Sequence, residues 1–78
     1  MPSWRDLKRF CESDGWELYK TTDHWFYRKA MPDGTLKRTK VSMVKGEIKG
    51  HLWKEIIKKQ LQVSEEYFYK EKLAIIIR

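Results

Sequence analysis

The residue whose chemistry stands out first is His24, in the segment Thr22-Asp23-His24-Trp25-Phe26-Tyr27-Arg28. Lys20, Arg28 and Lys29 lie close to it in sequence. An imidazole can take up or supply a proton near neutral pH while neighbouring cations hold a phosphodiester. RNA carries its own nucleophile, the 2′-hydroxyl, so such a group plus electrostatic stabilisation can cleave it without a metal. A strand-edge histidine with no chemical role fits the same residues, and on the residues alone both readings stay open. His51 opens a helix, where it reads as a loosely defined cap or as a second acid/base partner for His24. Cys11 follows Phe10 in a helical pattern and reads as a small buried hydrophobe, since nothing in the sequence assigns it an activating base. There is no CxxC pair, and no carboxylate stands at a ligand-like spacing from the two histidines. No metal or cofactor is therefore expected. Gly46-Glu47-Ile48 does not make a phosphate loop, and no GxGxxG or Walker sequence exists.

The cations around His24 belong to a wider excess. The 78 residues carry a net charge of +6, unevenly spread. Residues 1–19 sum to −1, residues 20–44 to +4, residues 45–62 to +3, and residues 63–78 to zero. A basic surface built from the middle of the chain would attract a polyanion such as nucleic acid. Lys20, Arg28, Lys29, Lys45 and Lys49 are the candidate phosphate-binding residues. A solvated mixed-charge surface is the alternative meaning of the same numbers.

One domain, residues 1–78, must position these groups, because a chain of this length has room for one thin core. Apolar residues make up 41% and aromatics 14%, enough to fold and too many for a disordered tail. The longest apolar run, residues 73–77, and shorter ones such as 25–27 fall far short of the roughly 20 residues a membrane span needs. No secretory h-region is visible among the first ten residues, and a single cysteine suits a reducing compartment. A cytoplasmic protein without a membrane partner is the expectation.

Ser3 and Asp6 have the spacing of a capping box, ahead of Trp4, Leu7, Phe10 and Cys11 at helical intervals. The pattern predicts a helix over residues 4–13, stopped by Asp14-Gly15. Alternation predicts strands over residues 16–21, 24–31 and 35–44, joined by Thr22-Asp23 and by the turn triplet Pro32-Asp33-Gly34. Trp16 and Leu18, and later Val41 and Met43, mark the expected buried faces. In the middle strand Trp25, Tyr27 and Lys29 alternate with His24, Phe26 and Arg28, and the pattern alone does not say which set points outward. If Trp25 or Phe26 is on the exposed face it could stack a base, although packing is the commoner role for each. Residues 45–50 form a loop. From His51 the period changes, and Leu52, Trp53, Ile56, Ile57 and Leu61 predict a second helix through Gln62. Ser64 caps a short helical turn that holds Glu65 and Glu66, and the β-branched residues 73–77 suggest an extra strand.

These elements predict an α+β fold, a three-stranded antiparallel meander with two helices on one face, since each helix has a single apolar stripe to bury. The order of motifs resembles the HicA family of toxin–antitoxin ribonucleases, the mRNA interferases. Asp14-Gly15-Trp16 matches a first helix that ends in a glycine and an aromatic. The segment 22–28 matches a Gly-Ser-His element leading into an aromatic strand. Pro32-Asp33-Gly34, Val41-Ser42-Met43, residues 47–52 and Ser64-Glu65-Glu66-Tyr67-Phe68 follow in the family's order. The likeness spans residues 3 to about 69, with residues 70–78 as an extension. Departures are Thr22-Asp23 in place of Gly-Ser, no proline before Gly50, and the longer tail.

The resemblance implies a double-stranded-RNA-binding-like fold, α-β-β-β-α, and a metal-independent endoribonuclease that cleaves mRNA. It makes His24 the catalytic acid/base, and it implies a HicB-like antitoxin that covers the active surface and can assemble with it into larger complexes. The aspartate before the histidine puts a carboxylate beside the reacting group, where it either orients the ring or repels phosphate. Two other functions fit the same residues. One is a non-catalytic RNA-binding module, and the other is a small protein-interaction domain using the open sheet or a C-terminal strand.

Overall fold

Ser3 and Asp6 do form the capping box. The Ser3 hydroxyl accepts from the Asp6 amide at 3.1 Å, and the Asp6 carboxylate accepts from the Ser3 amide at 3.0 Å. With its first donors satisfied, helix α1 runs Trp4–Ser13 and buries Leu7, Phe10 and Cys11. It ends where expected: Gly15 takes φ +79°, and the Trp16 amide reaches back to the Cys11 carbonyl at 3.0 Å. The computed structural model describes residues 2–77, with side-chain surroundings for residues 2–71.

Strands β1 (Glu17–Thr21), β2 (His24–Ala30) and β3 (Leu36–Ser42) form one antiparallel sheet in the order β1-β2-β3. The Met31 amide bonds to the Thr35 carbonyl at 2.8 Å to close the second hairpin, with Gly34 at φ +90°. The β2–β3 register is regular, with Trp25 opposite Val41, Tyr27 opposite Thr39 and Lys29 opposite Lys37. Tyr27, Thr39 and Val41 are buried, so this set faces the helices. His24, Phe26 and Arg28 therefore lie on the other face, opposite Ser42, Lys40 and Arg38.

Helix α2 (Gly50–Glu55) continues as a π-helical segment, Ile56–Leu61, which ends at Gln62 in the left-handed conformation. Trp53, Ile56, Ile57 and Leu61 are buried as the helical stripe requires. The wider turns bring Gln60 against the buried Thr39 hydroxyl at 2.7 Å, and the Leu61 carbonyl against Lys37 Nζ at 2.9 Å. This segment and α1 both pack on β3, which puts both helices on the same side of the sheet.

Four expectations change. The turn after Ser64 is a full helix, α3 (Glu65–Ile77), that packs against α1. Residues 73–77 continue it and do not form an extra strand. Once a helix is nucleated at Ser64, each added residue gains a hydrogen bond, which outweighs the modest helix penalty of isoleucine. Arg78 lies outside the described residues. Leu18 is exposed, because the β1–β2 register shifts between Leu18 and Lys20 and β1 is an edge strand exposed along its length. Met43 is exposed too, since β3 ends at Ser42 before reaching it.

The core closes around Phe68 of α3, whose ring lies 4.9 Å from that of Phe10 and 4.6 Å from that of Trp53. Ile48 also joins it, drawn in by its amide's bond to the Pro2 carbonyl at 2.9 Å. Beside this cluster the Asp14 carboxylate accepts from Trp16 Nε1 at 2.9 Å, from Lys29 Nζ at 3.0 Å and from the Tyr67 hydroxyl. One buried acid thus joins the end of α1, the inner face of β2, and α3.

Truncation of Phe68 to alanine should cost about 3–5 kcal/mol, the usual range for a fully buried aromatic. Urea unfolding followed by tryptophan emission would measure this, and a loss well under that range would mean that α3 contributes little to the core.

The Asp14 contact, and secondarily burial, push the Tyr67 phenol up to about 12 from an ordinary 10. A raised folded value means that its contribution is complete below pH 10 and is lost as pH climbs towards 12. Tyr27, raised to about 12 mainly by burial, has the same sign. The urea midpoint should therefore fall across this alkaline window, and less steeply in Tyr67→Phe. Parallel curves for the two proteins would show that the Tyr67–Asp14 bond does not act in this way.

Candidate nucleic-acid interface

The period-2 geometry of β2 makes the helix-free face of the sheet. With Tyr27 and Val41 buried beneath the helices, the alternate residues must project to the other side. His24, Phe26 and Arg28 stand there on β2, Arg38 and Lys40 on β3, and Lys20 on β1 opposite Phe26. The shift in register after Leu18 re-aims Tyr19, so its ring comes within 6.3 Å of the Phe26 ring. Lys20 Nζ lies 5.3 Å from the centre of the Phe26 ring, and the Arg28 guanidinium 4.8 Å from that of Tyr19. A depression of about 280 Å³ is lined by Tyr19, Phe26, Arg38, Thr39, Lys40 and Gln60.

His24 begins β2 at the rim of this face, with 30% of its side chain exposed. Nδ1 lies 3.2 Å from Oδ1 of Asp23, which also accepts from the Thr22 hydroxyl at 3.0 Å. With a proton on Nδ1, facing the carboxylate, the imidazole lone pair lies on Nε2. Nε2 makes no hydrogen bond to any described residue. The neighbouring His24 ring, and then the Thr22 hydroxyl, hold the Asp23 carboxyl below the ordinary carboxylate value. Such an imidazole can accept a proton at Nε2 while Asp23 steadies the cation that forms.

Arg28 and Arg38 face each other across the β2–β3 pair, an arrangement that costs stability by like-charge repulsion. Arg28 is partly neutralised by Glu17 at 2.5 Å. Lys20, Arg38 and Lys40 have no carboxylate partner among the described residues. Uncompensated cations interleaved with aromatic rings make a surface suited to phosphates and to unstacked bases.

The sequence candidates divide. His24, Lys20 and Arg28 come together on the open face. Lys29 points the other way, to Asp14, and its ammonium serves the fold. Lys45 lies in the loop after β3, beside a second cleft, and Lys49 is exposed immediately before α2. His51 is exposed at the start of α2. Arg38 and Lys40 stand on the same open face but were not among the sequence candidates. Their alternation with Val41 could have found them, because a buried Val41 puts both on the opposite face. Among the described residues no three of His, Cys, Asp or Glu gather as a metal site would require. Burial pushes the Cys11 thiol well up, as a packed hydrophobe should show.

Comparison of the chain with protein-family models, curated proteins and solved structures finds no match in any of the three.

The Asp23–His24 contact has a direct readout. The Asp23 carboxyl should titrate below the ordinary aspartate value in the folded protein, and move back towards it in His24→Ala. Carbon-detected NMR titration measures both, and an Asp23 unchanged by the substitution would show that the ring does not engage it.

Proposed function

We propose that the open sheet face binds single-stranded RNA, and that His24 makes the protein a metal-independent endoribonuclease acting on mRNA. The observation that carries this is the shared face: an oriented imidazole at the rim of a strip of cations and aromatic rings. In the proposed reaction Nε2 takes the proton of a 2′-hydroxyl, and the freed oxygen attacks the adjacent phosphorus. Lys20, Arg28, Arg38 and Lys40 supply positive charge for the extra negative charge that develops on the phosphoryl oxygens. The bond to the 5′-oxygen breaks, and that oxygen takes a proton from solvent. The products are a 2′,3′-cyclic phosphate and a 5′-hydroxyl end.

The HicA-like order of motifs supports the same function and extends it. The chain would be the toxin of a type II toxin–antitoxin pair, acting in the cytoplasm. A HicB-like antitoxin would cover the open face, in a complex of two chains or a larger assembly. No helix among the described residues is long and apolar enough to cross a membrane, which is compatible with that setting.

A specific feature favours a second function, RNA binding without turnover. The Asp23 carboxylate is 85% exposed beside His24, where it repels an approaching phosphate as well as orienting the ring.

Incubation of long single-stranded RNA with the protein in EDTA separates the two. Cleavage should leave 5′-hydroxyl ends, and His24→Ala should still bind RNA but cleave about 10²–10⁴-fold more slowly, the usual contribution of a general acid/base. Equal cleavage by both proteins would remove His24 from the chemistry. Salt-sensitive binding with no cleavage by the wild type would establish the second function, and absent binding would exclude both.

A further inference from the structure

A second cleft, of about 470 Å³, opens at the end of the sheet where α1 begins. Arg5 and Lys8 of α1, Trp25 of β2, Ser42 at the end of β3 and Lys45 in the loop that follows line it. Trp25 is half-buried, and Lys8 Nζ sits 5.1 Å from its ring centre. Arg5 and Lys45 are exposed and have no carboxylate partner among the described residues. Among the described residues Glu12, at 3.4 Å, is the one carboxylate paired with Lys8, and such a surface pair contributes little. At the start of α1 the Asp6 amide donates to Ser3 and the Trp4 amide to the Gly46 carbonyl, so the attraction for an anion rests on the side chains.

The cleft adjoins the candidate catalytic residue. Ser42 is the register partner of His24, and Trp25 is the next residue along β2 on the opposite face. A chain leaving His24 over the end of the sheet therefore arrives at Trp25. The volume falls in the range of small-ligand sites and accommodates a single nucleotide. Three cations around an indole suit a phosphate-linked base: the base stacks on Trp25 as Lys8 swings towards a phosphate that Arg5 and Lys45 also reach.

We infer that this cleft is a subsite for a nucleotide flanking the scissile bond, so that the bound RNA turns over the end of the sheet from His24 to Trp25. The inference rests on RNA being the ligand of the open face, and it adds the path of the strand and a base-stacking residue.

The test uses non-cleavable 2′-O-methyl oligouridylate of twelve nucleotides, with uridine monophosphate as a separate probe. Arg5→Glu with Lys45→Glu removes two cleft cations, and Arg38→Glu with Lys40→Glu serves as the open-face control. At roughly 0.7 per phosphate contact on a single strand, the cleft variant should lower the slope of log affinity against log salt by about 1.4. The twelve-mer should also quench tryptophan emission, and Trp25→Phe should remove most of the quench. Unchanged affinity and slope in the cleft variant, alongside weakened binding in the open-face control, would overturn the subsite and leave RNA binding at the open face intact. Wild-type protein that binds no oligonucleotide would overturn both. Quenching by the monophosphate that the twelve-mer neither reproduces nor competes away would assign the cleft to a free nucleotide and overturn the RNA path.

Discussion

The buried carboxylate of Asp14 is the constraint on which the two faces of the sheet depend. Its side chain is 7% exposed, and an isolated charge there would be costly, so it gathers Trp16, Lys29 and Tyr67 as donors. Holding Lys29 inward sets the phase of β2. With Lys29 in, Tyr27 and Trp25 also face the helices, and His24, Phe26 and Arg28 face solvent. A one-residue slip would invert every one of these positions, burying Arg28 and exposing Tyr27. Burial of Tyr27 and Val41 demands the same phase of β2, and buried ion pairs often gain little over an apolar replacement.

The face left open is locally unfavourable by the standards of a structural surface. Arginines oppose one another across β2 and β3, while lysines lie without carboxylate partners and aromatic rings stay half-exposed. The opposed arginines work against folding. A polyanion on the sheet would relieve the repulsion and cover the rings, and this is the physical reason for placing the ligand there. The helices cannot interfere, because the apolar stripes of α1 and of the α2–π segment are committed to the inner face.

The inner face in turn needs its edge held. β3 is an edge strand, and the π-helical turns hold it from the side through Gln60–Thr39 and Lys37–Leu61. Regular α-helical winding would rotate Gln60 relative to the Ile56, Ile57 and Leu61 stripe. The π segment delivers the apolar residues to the core and the amide to Thr39 together. α3 completes the enclosure by setting Phe68 between α1 and Trp53, which explains how so short a chain closes a core with no disulfide.

Much of this was legible in the residues. Ser3 with Asp6, Gly15 and the Pro32-Asp33-Gly34 turn carry local chemistry that acts over a few residues, and the elements they bound lie where the patterns put them. His24 could be named as a candidate because imidazole is rare and its cationic neighbours are close in sequence. Less was legible for the cations, because a lysine's partner lies elsewhere in the chain. Lys29 looked as available as Arg28 until Asp14, fifteen positions earlier, was brought beside it. Alternation with Val41 assigns Arg38 and Lys40 to the face away from the helices, but only pairing with β2 set them opposite Arg28 and Phe26. The residues at 73–77 suit either a strand or a helix, and the helix already begun at Ser64 decided between them.

The amino-acid order by itself determined where the chain turns, where α1 begins and ends, and that a three-stranded meander follows it, because caps, turns and periodicity are short-range. Only the tertiary structure decided which face of β2 meets water and which cations stand beside His24. Those outcomes follow from burying one carboxylate and one apolar layer among groups distant in sequence.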